Sequence, residues 1–156
     1  MKPRTRVEEL LVKGATELGN GDWAEARKTY HEAVELGQSG PTLEGFAAAC
    51  WWLRDADAAI DARRRAFRLY LDGDDRPSAA RVAISLVWDH IFRGERSIAG
   101  GWVGRAEKLL EDLGTVEGSA WLAVVKSHIA LMVDRDPSKP LGSPARALRL
   151  GARSEA

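Results

Sequence analysis

One cysteine, Cys50, stands in 156 residues. It cannot close an internal disulfide, which excludes a disulfide-stapled fold and points to a reducing compartment. Excess charge of either sign is also missing. Lysine plus arginine and aspartate plus glutamate number 23 each, so no global field recruits nucleic acid or an acidic membrane. No apolar run reaches the roughly 20 residues a membrane helix needs, and MKPRTRVEELLVKG has no apolar core of signal-peptide length. There is no phosphate-binding glycine loop, no metal-binding histidine pair at helical spacing and no Cys-x-x-Cys. His31, His90 and His128 fall on three different helices, and Cys50 among apolar neighbours reads as packing. No segment alternates with the period of a strand. These absences leave a cytoplasmic, all-α, non-enzymatic chain without metal or cofactor.

What is present is a recurring amphipathic helix. GDWAEARKTYHEAVEL, from Gly21 to Leu36, places Ala26 and Ala33 five and twelve residues after Gly21. Counted from Arg54, Ala59 and Ala66 stand at the same offsets, and counted from Gly94, Ala99 and Ala106 do. Small residues at fixed places let paired helices approach closely, so the pattern implies stacked units.

In chain order, Thr5 and Glu8 form a capping box before a helix whose inner side is Val7, Leu10, Leu11, Gly14 and Leu18. The second helix spans about Trp23 to Leu36 and buries Ala26, Tyr30, Ala33 and Val34, with Gly37 and Gly40 expected to stop it through positive φ. The third, Thr42 to Leu53, follows Pro41 and is nearly all apolar; the fourth runs from Ala58 to Leu71. Asp74 or Asp75 can cap the fifth, Ser78 to Phe92, where Arg81, Ser85 and Asp89 form one narrow polar stripe that should meet water. The sixth runs from about Ser97 to Leu113 and the seventh from Glu117 to Val133. DRDPSKPLGS breaks any period, and Ser143 with Pro144 opens a short eighth, Ala145 to Leu150. The expected organisation is a helical-repeat domain over 1–133, then a loop, a short terminal helix and a frayed tail over 134–156.

Gly14, Ala26, Tyr30 and Ala33, followed by Ala47, Ala59 and Ala66 and by Ala99 and Ala106, resemble the tetratricopeptide repeat. Arg63 and Val103 stand where that pattern has its aromatic. More narrowly, the runs LEGFAAACWWLRDADAAIDARRRAFRLY, ARVAISLVWDHIFRGERSIAGGWVGRAEKLLEDL and GSAWLAVVKSHIAL resemble the repeat region of large LuxR-type bacterial transcription regulators. The resemblance implies a right-handed array of antiparallel helix pairs whose first helices line a concave side. Such regulators end in a DNA-binding helix-turn-helix, for which the chain up to Ala156 leaves no room, so only the repeat region carries over.

Two functions follow from different classes. One is a regulatory interaction module holding a protein or peptide segment in the groove. The other is a ligand-sensing or oligomerising remnant of a LuxR-type regulator, marked by a closed apolar pocket behind Trp51 and Trp88. Groove candidates are Glu44, Trp51, Trp52, Arg81, Ser85, Asp89, Trp121 and His128, offering aromatic faces beside a few charges. The bland reading of the first-helix tryptophans is core packing; the functional one has one or two of them reach the groove. The run of Arg63, Arg64, Arg65 and Arg68 reads as a solvated outer face. Trp121, Ile129 and Met132 near the C-terminal end invite self-association if left uncovered.

Overall fold

The computed structural model describes residues 5–113 and, beyond them, Ala120, Ala123, Val124, Lys126 and Ser127. The described residues hold six helices: α1 (Arg6–Asn20), α2 (Trp23–Leu36), α3 (Gly40–Trp52), α4 (Ala56–Asp72), α5 (Arg76–Phe92) and α6 (Arg96–Leu113). The sequence leads one to expect seven helices with a short eighth; six are described in full. Of the seventh, the five described residues are helical, and the ion pair between Lys126 and Glu107 ties one of them to α6. The remainder of that helix, the eighth over Ala145 to Leu150, the 133/134 boundary, and Trp121, His128, Ile129 and Met132 lie outside the described residues.

Each helix packs on its successor, and α1 also reaches α3. Four of the five connections close in the same way. At Gly21, Arg54, Asp74 and Gly94 the backbone takes φ of 83°, 63°, 55° and 75°. The next residue then sends its N–H five positions back: Asp22 to Glu17 at 2.9 Å, Asp55 to Cys50 at 2.9 Å, Asp75 to Tyr70 at 2.8 Å and Glu95 to His90 at 2.9 Å. This left-handed closure satisfies carbonyls that a helix end otherwise leaves bare. It costs nothing at glycine and about 1 kcal/mol at Arg54. Asp55 and Asp75 go on to cap α4 and α5, accepting from the Ala58 and Ser78 N–H groups at 3.2 Å each. The Thr5–Glu8 capping box opens α1 as the sequence implies. Gly37 departs from expectation. Its φ of 178° is extended, so α2 ends without a left-handed residue, and Gly40 belongs to the first turn of α3, capped by Ser39.

The turn residues set the repeat register. All six alanines at offsets five and twelve from Gly21, Arg54 and Gly94 are buried. The position nine after each turn projects between units. Tyr30 occupies it on α2, with its ring so close to Gly14 and Gly45 that a Cβ at either would meet it. Only glycine leaves that room, and here the requirement is steric.

Candidate functional site

Side chains bridge first helices α3 and α5 at two places. At one, Glu44 accepts hydrogen bonds from the Tyr70 hydroxyl at 2.5 Å and from Arg81 at 2.6 Å. Tyr70 sits against Gly40, and Arg81 lies over its ring at 5.9 Å. Burial, and next the Glu44 carboxylate, push the Tyr70 hydroxyl well above the usual phenol range, which keeps it a donor. Ser85, one turn on from Arg81, is half-buried and donates to the Arg81 carbonyl at 3.3 Å.

The second junction is aromatic. Trp51 meets Phe92 with centroids 5.6 Å apart, and Phe92 stacks on Trp88 at 6.1 Å. Trp52, on the next position of α3, stacks on Trp23 of α2 at 4.8 Å and 12°. Trp51 and Trp88 are half-buried, whereas Trp52 is 58% and Phe92 64% exposed. The end of α3 is thus an aromatic ledge with two exposed rings, Phe92 against Trp51 and Trp88 on the α5 side and Trp52 against Trp23 on the α2 side.

Beneath the ledge lies the main correction to the sequence reading. The stripe of Arg81, Ser85 and Asp89 does not meet water along its whole length, because Asp89 is 2% exposed. Its Oδ1 is ion-paired with Arg63 of α4, and the Arg63 guanidinium lies 5.8 Å from the Trp51 ring centroid. Burial raises the Asp89 carboxyl above the usual carboxylate range, and Arg63 opposes that rise. Arg63 correspondingly leaves the solvated outer face assigned to the arginine run, while Arg64 and Arg68 remain on it. The reason is register: Arg63 holds the inward position that Tyr30 holds one unit earlier. The facing position, five before the turn, is Asp89 on α5 and buried Ala49 on α3. Thr16 holds it on α1, where no earlier unit exists among the described residues to cover it, and is exposed.

Of the expected groove residues, Glu44, Trp51, Trp52, Arg81 and Ser85 gather at these two junctions, Asp89 supports one from below, and Trp121 and His128 lie outside the described residues. Phe92 is the residue that sequence reasoning missed. Its signal was there, since it stands two before Gly94 as Trp52 stands two before Arg54. Cys50 is fully buried, and desolvation raises its thiol pKa, as suits a packed rather than reactive cysteine. On the second-helix side, a separate cleft of about 370 Å³ runs between α4 and α6, past Phe67, Leu71, Arg105 and Leu109. No helix of the described residues is long and apolar enough to cross a membrane.

No protein-family model matches the chain, and no curated protein matches its sequence. Among solved structures, the crystal structure of PcrH in complex with the chaperone binding region of PopB is similar, with a TM-score of 0.65 and 16% identity. The match covers 81% of this chain and 98% of that one. The array is a tetratricopeptide-like helical repeat. At this identity the likeness is one of fold.

Proposed function

We propose that this chain is a non-enzymatic interaction module that holds a segment of a partner protein across the shared face of α3 and α5. The observation that carries the reading is the pair of large aromatic rings left mostly exposed, Phe92 on half-buried Trp51 and Trp88 and Trp52 on Trp23. Preplaced aromatic anchors lose little conformational freedom on binding, and such residues dominate binding energy at interfaces. Glu44 and Arg81 supply charge beside them and fix the orientation of a bound chain. PcrH, of similar fold, is seen bound to a segment of PopB, which supports a segment over a small ligand.

The narrower likeness to LuxR-type regulators rests on the sequence runs alone; it casts the module as regulatory, with the right-handed winding that the resemblance implies. The ligand-sensing form of the alternative needs a closed apolar pocket behind Trp51 and Trp88, and a charged group, the Arg63 guanidinium, lies over the Trp51 ring. The segment reading is therefore favoured.

The test is selection of a random twelve-residue peptide display library on the full chain. Phe92→Ala and Trp52→Ala should each weaken the selected peptides by about 1–3 kcal/mol, the range of an interface anchor, with Arg64→Ala unchanged. Equal binding by all three variants, or loss only in Arg64→Ala, moves the working surface elsewhere.

A further inference from the structure

The arginines at the ledge end of the molecule differ in one respect. Arg27 holds Asp55 at 3.0 Å, Arg63 holds Asp89, and Arg93 holds Asp57 and Glu95. Arg54 is exposed, and its side chain takes part in no hydrogen bond, ion pair or ring contact among the described residues. It is also the residue with the least reason to be there. Its backbone φ of 63° lies in the left-handed region, where the equivalent turns at Gly21 and Gly94 use glycine. A glycine would close this turn without the steric cost. Asp74 shares the conformation, but aspartate tolerates it better, and Arg76 holds its carboxylate at 3.3 Å. At Arg54 the closure hydrogen bonds are those any residue would make, and no side-chain contact among the described residues offsets the added steric cost.

Position suggests what offsets it. Arg54 stands two residues after Trp52 and follows Leu53, which is itself 37% exposed, at the end of α3 where the ledge meets solvent. A strained residue kept at the edge of a binding face is a sign of a role there. Guanidinium also pairs with carboxylate in two-pronged geometry.

We infer that Arg54 is a specificity contact of the ledge, recognising an aspartate or glutamate side chain of the bound segment next to its apolar anchor. The inference rests on the segment-binding reading above and names the chemistry of the partner: an acidic-apolar peptide. An uncharged apolar segment would leave Arg54 unpaired. A basic one would be repelled.

The experiment compares the full chain with Arg54→Gly and Arg54→Lys. Peptides are drawn from the same display library, then synthesised with amidated C-termini so that only side chains carry the acid. Selection on the unmodified chain should enrich aspartate or glutamate beside aromatic or aliphatic anchors. Arg54→Gly should melt about 2–4 °C higher, as relief of a strained turn predicts for a chain this size, yet bind those peptides about 10-fold more weakly. Arg54→Lys should fall between the two. Replacing the peptide's acid by its amide should cost the unmodified chain the same factor and cost Arg54→Gly nothing.

Enrichment without acids, an amide penalty that survives in Arg54→Gly, or a lower melting temperature for that variant overturns the inference. In each case the segment reading stands if Phe92→Ala still loses the peptides. Failure to enrich any peptide, or full binding by Phe92→Ala and Trp52→Ala, overturns the segment reading and this inference with it.

Discussion

At the scale of single residues, the pair of Arg63 and Asp89 decides more than any exposed group. With side chains 15% and 2% exposed, neither can be removed alone without stranding the other. Arg63→Met should cost about 3–5 kcal/mol in urea denaturation, the usual penalty for an uncompensated buried charge, while Arg63→Met with Asp89→Leu should recover most of it. If the double variant is no better than the single, the pair is not the source of the loss.

The same carboxyl sets a pH dependence. Its folded pKa is raised above the unfolded value, so the native state holds the proton more tightly. Asp89's contribution is therefore fully present below the ordinary aspartate range and is lost as pH rises through the raised folded value. In Arg63→Met the opposing cation is gone, so acidifying from neutral pH should raise stability. Asp89→Asn on that background should abolish this component of the slope. A slope that persists in the double variant belongs to another group.

Asp89 was legible as a polar position but not as a buried one. Periodicity within one helix shows which residues share a face, and it does not show what the neighbouring unit places against that face. Comparing units would have shown it, since the matching position on α3 is an alanine.

Among elements, close approach is the governing quantity. Gly45 lies inside α3, where alanine is the better helix former by about 1 kcal/mol. Packing reverses that preference, because a Cβ at Gly45 would run into the ring of Tyr30. Gly45→Ala should therefore lower stability by about 1–3 kcal/mol, read by chemical denaturation; a gain would show that the ring moves aside freely. Ala33→Leu and Ala66→Leu, at buried and equivalent places on α2 and α4, should each cost a similar amount. Unchanged melting temperatures for both would remove these alanines from the helix contact.

Helix identities and the three alanine pairs were readable because small residues recurring at helical offsets mark where one helix must come close to the next. The bounds were less so. Gly40 looked like a stop and proved to be part of the first turn of α3, since Ser39 provides the cap and glycine makes space for Tyr70. Turn chemistry at Asp74 hid behind a run of aspartates, although its hydrogen bonds match those at the two glycines.

For the whole molecule, stability is a sum of neighbour contacts, as expected of a linear array. Arg63 and Asp89 form part of the contact between α4 and α5, which together with the α3–α5 junctions joins the first four helices to α5 and α6. Weakening it should do more than lower the midpoint. Arg63→Met should broaden the urea transition or split it in two, with a smaller denaturant slope, while the unmodified chain unfolds in one step. A sharp single transition in the variant would mean that the units stay coupled by other contacts.

Tyr30 and Arg63, each nine residues after its turn, also bear on how the chain assembles without error. Helix pairs this alike could dock out of order, with α5 taking the place of α3 against α2. Tyr30 would then meet Ser85 where it now meets Gly45, and its ring would have no room. Arg63 set against α3 in place of α5 would face Ala49 and bury a charge with no partner. Misordered assemblies are thus penalised by mismatch, one steric and one electrostatic, so the order of the units is enforced by what each refuses as much as by what it accepts.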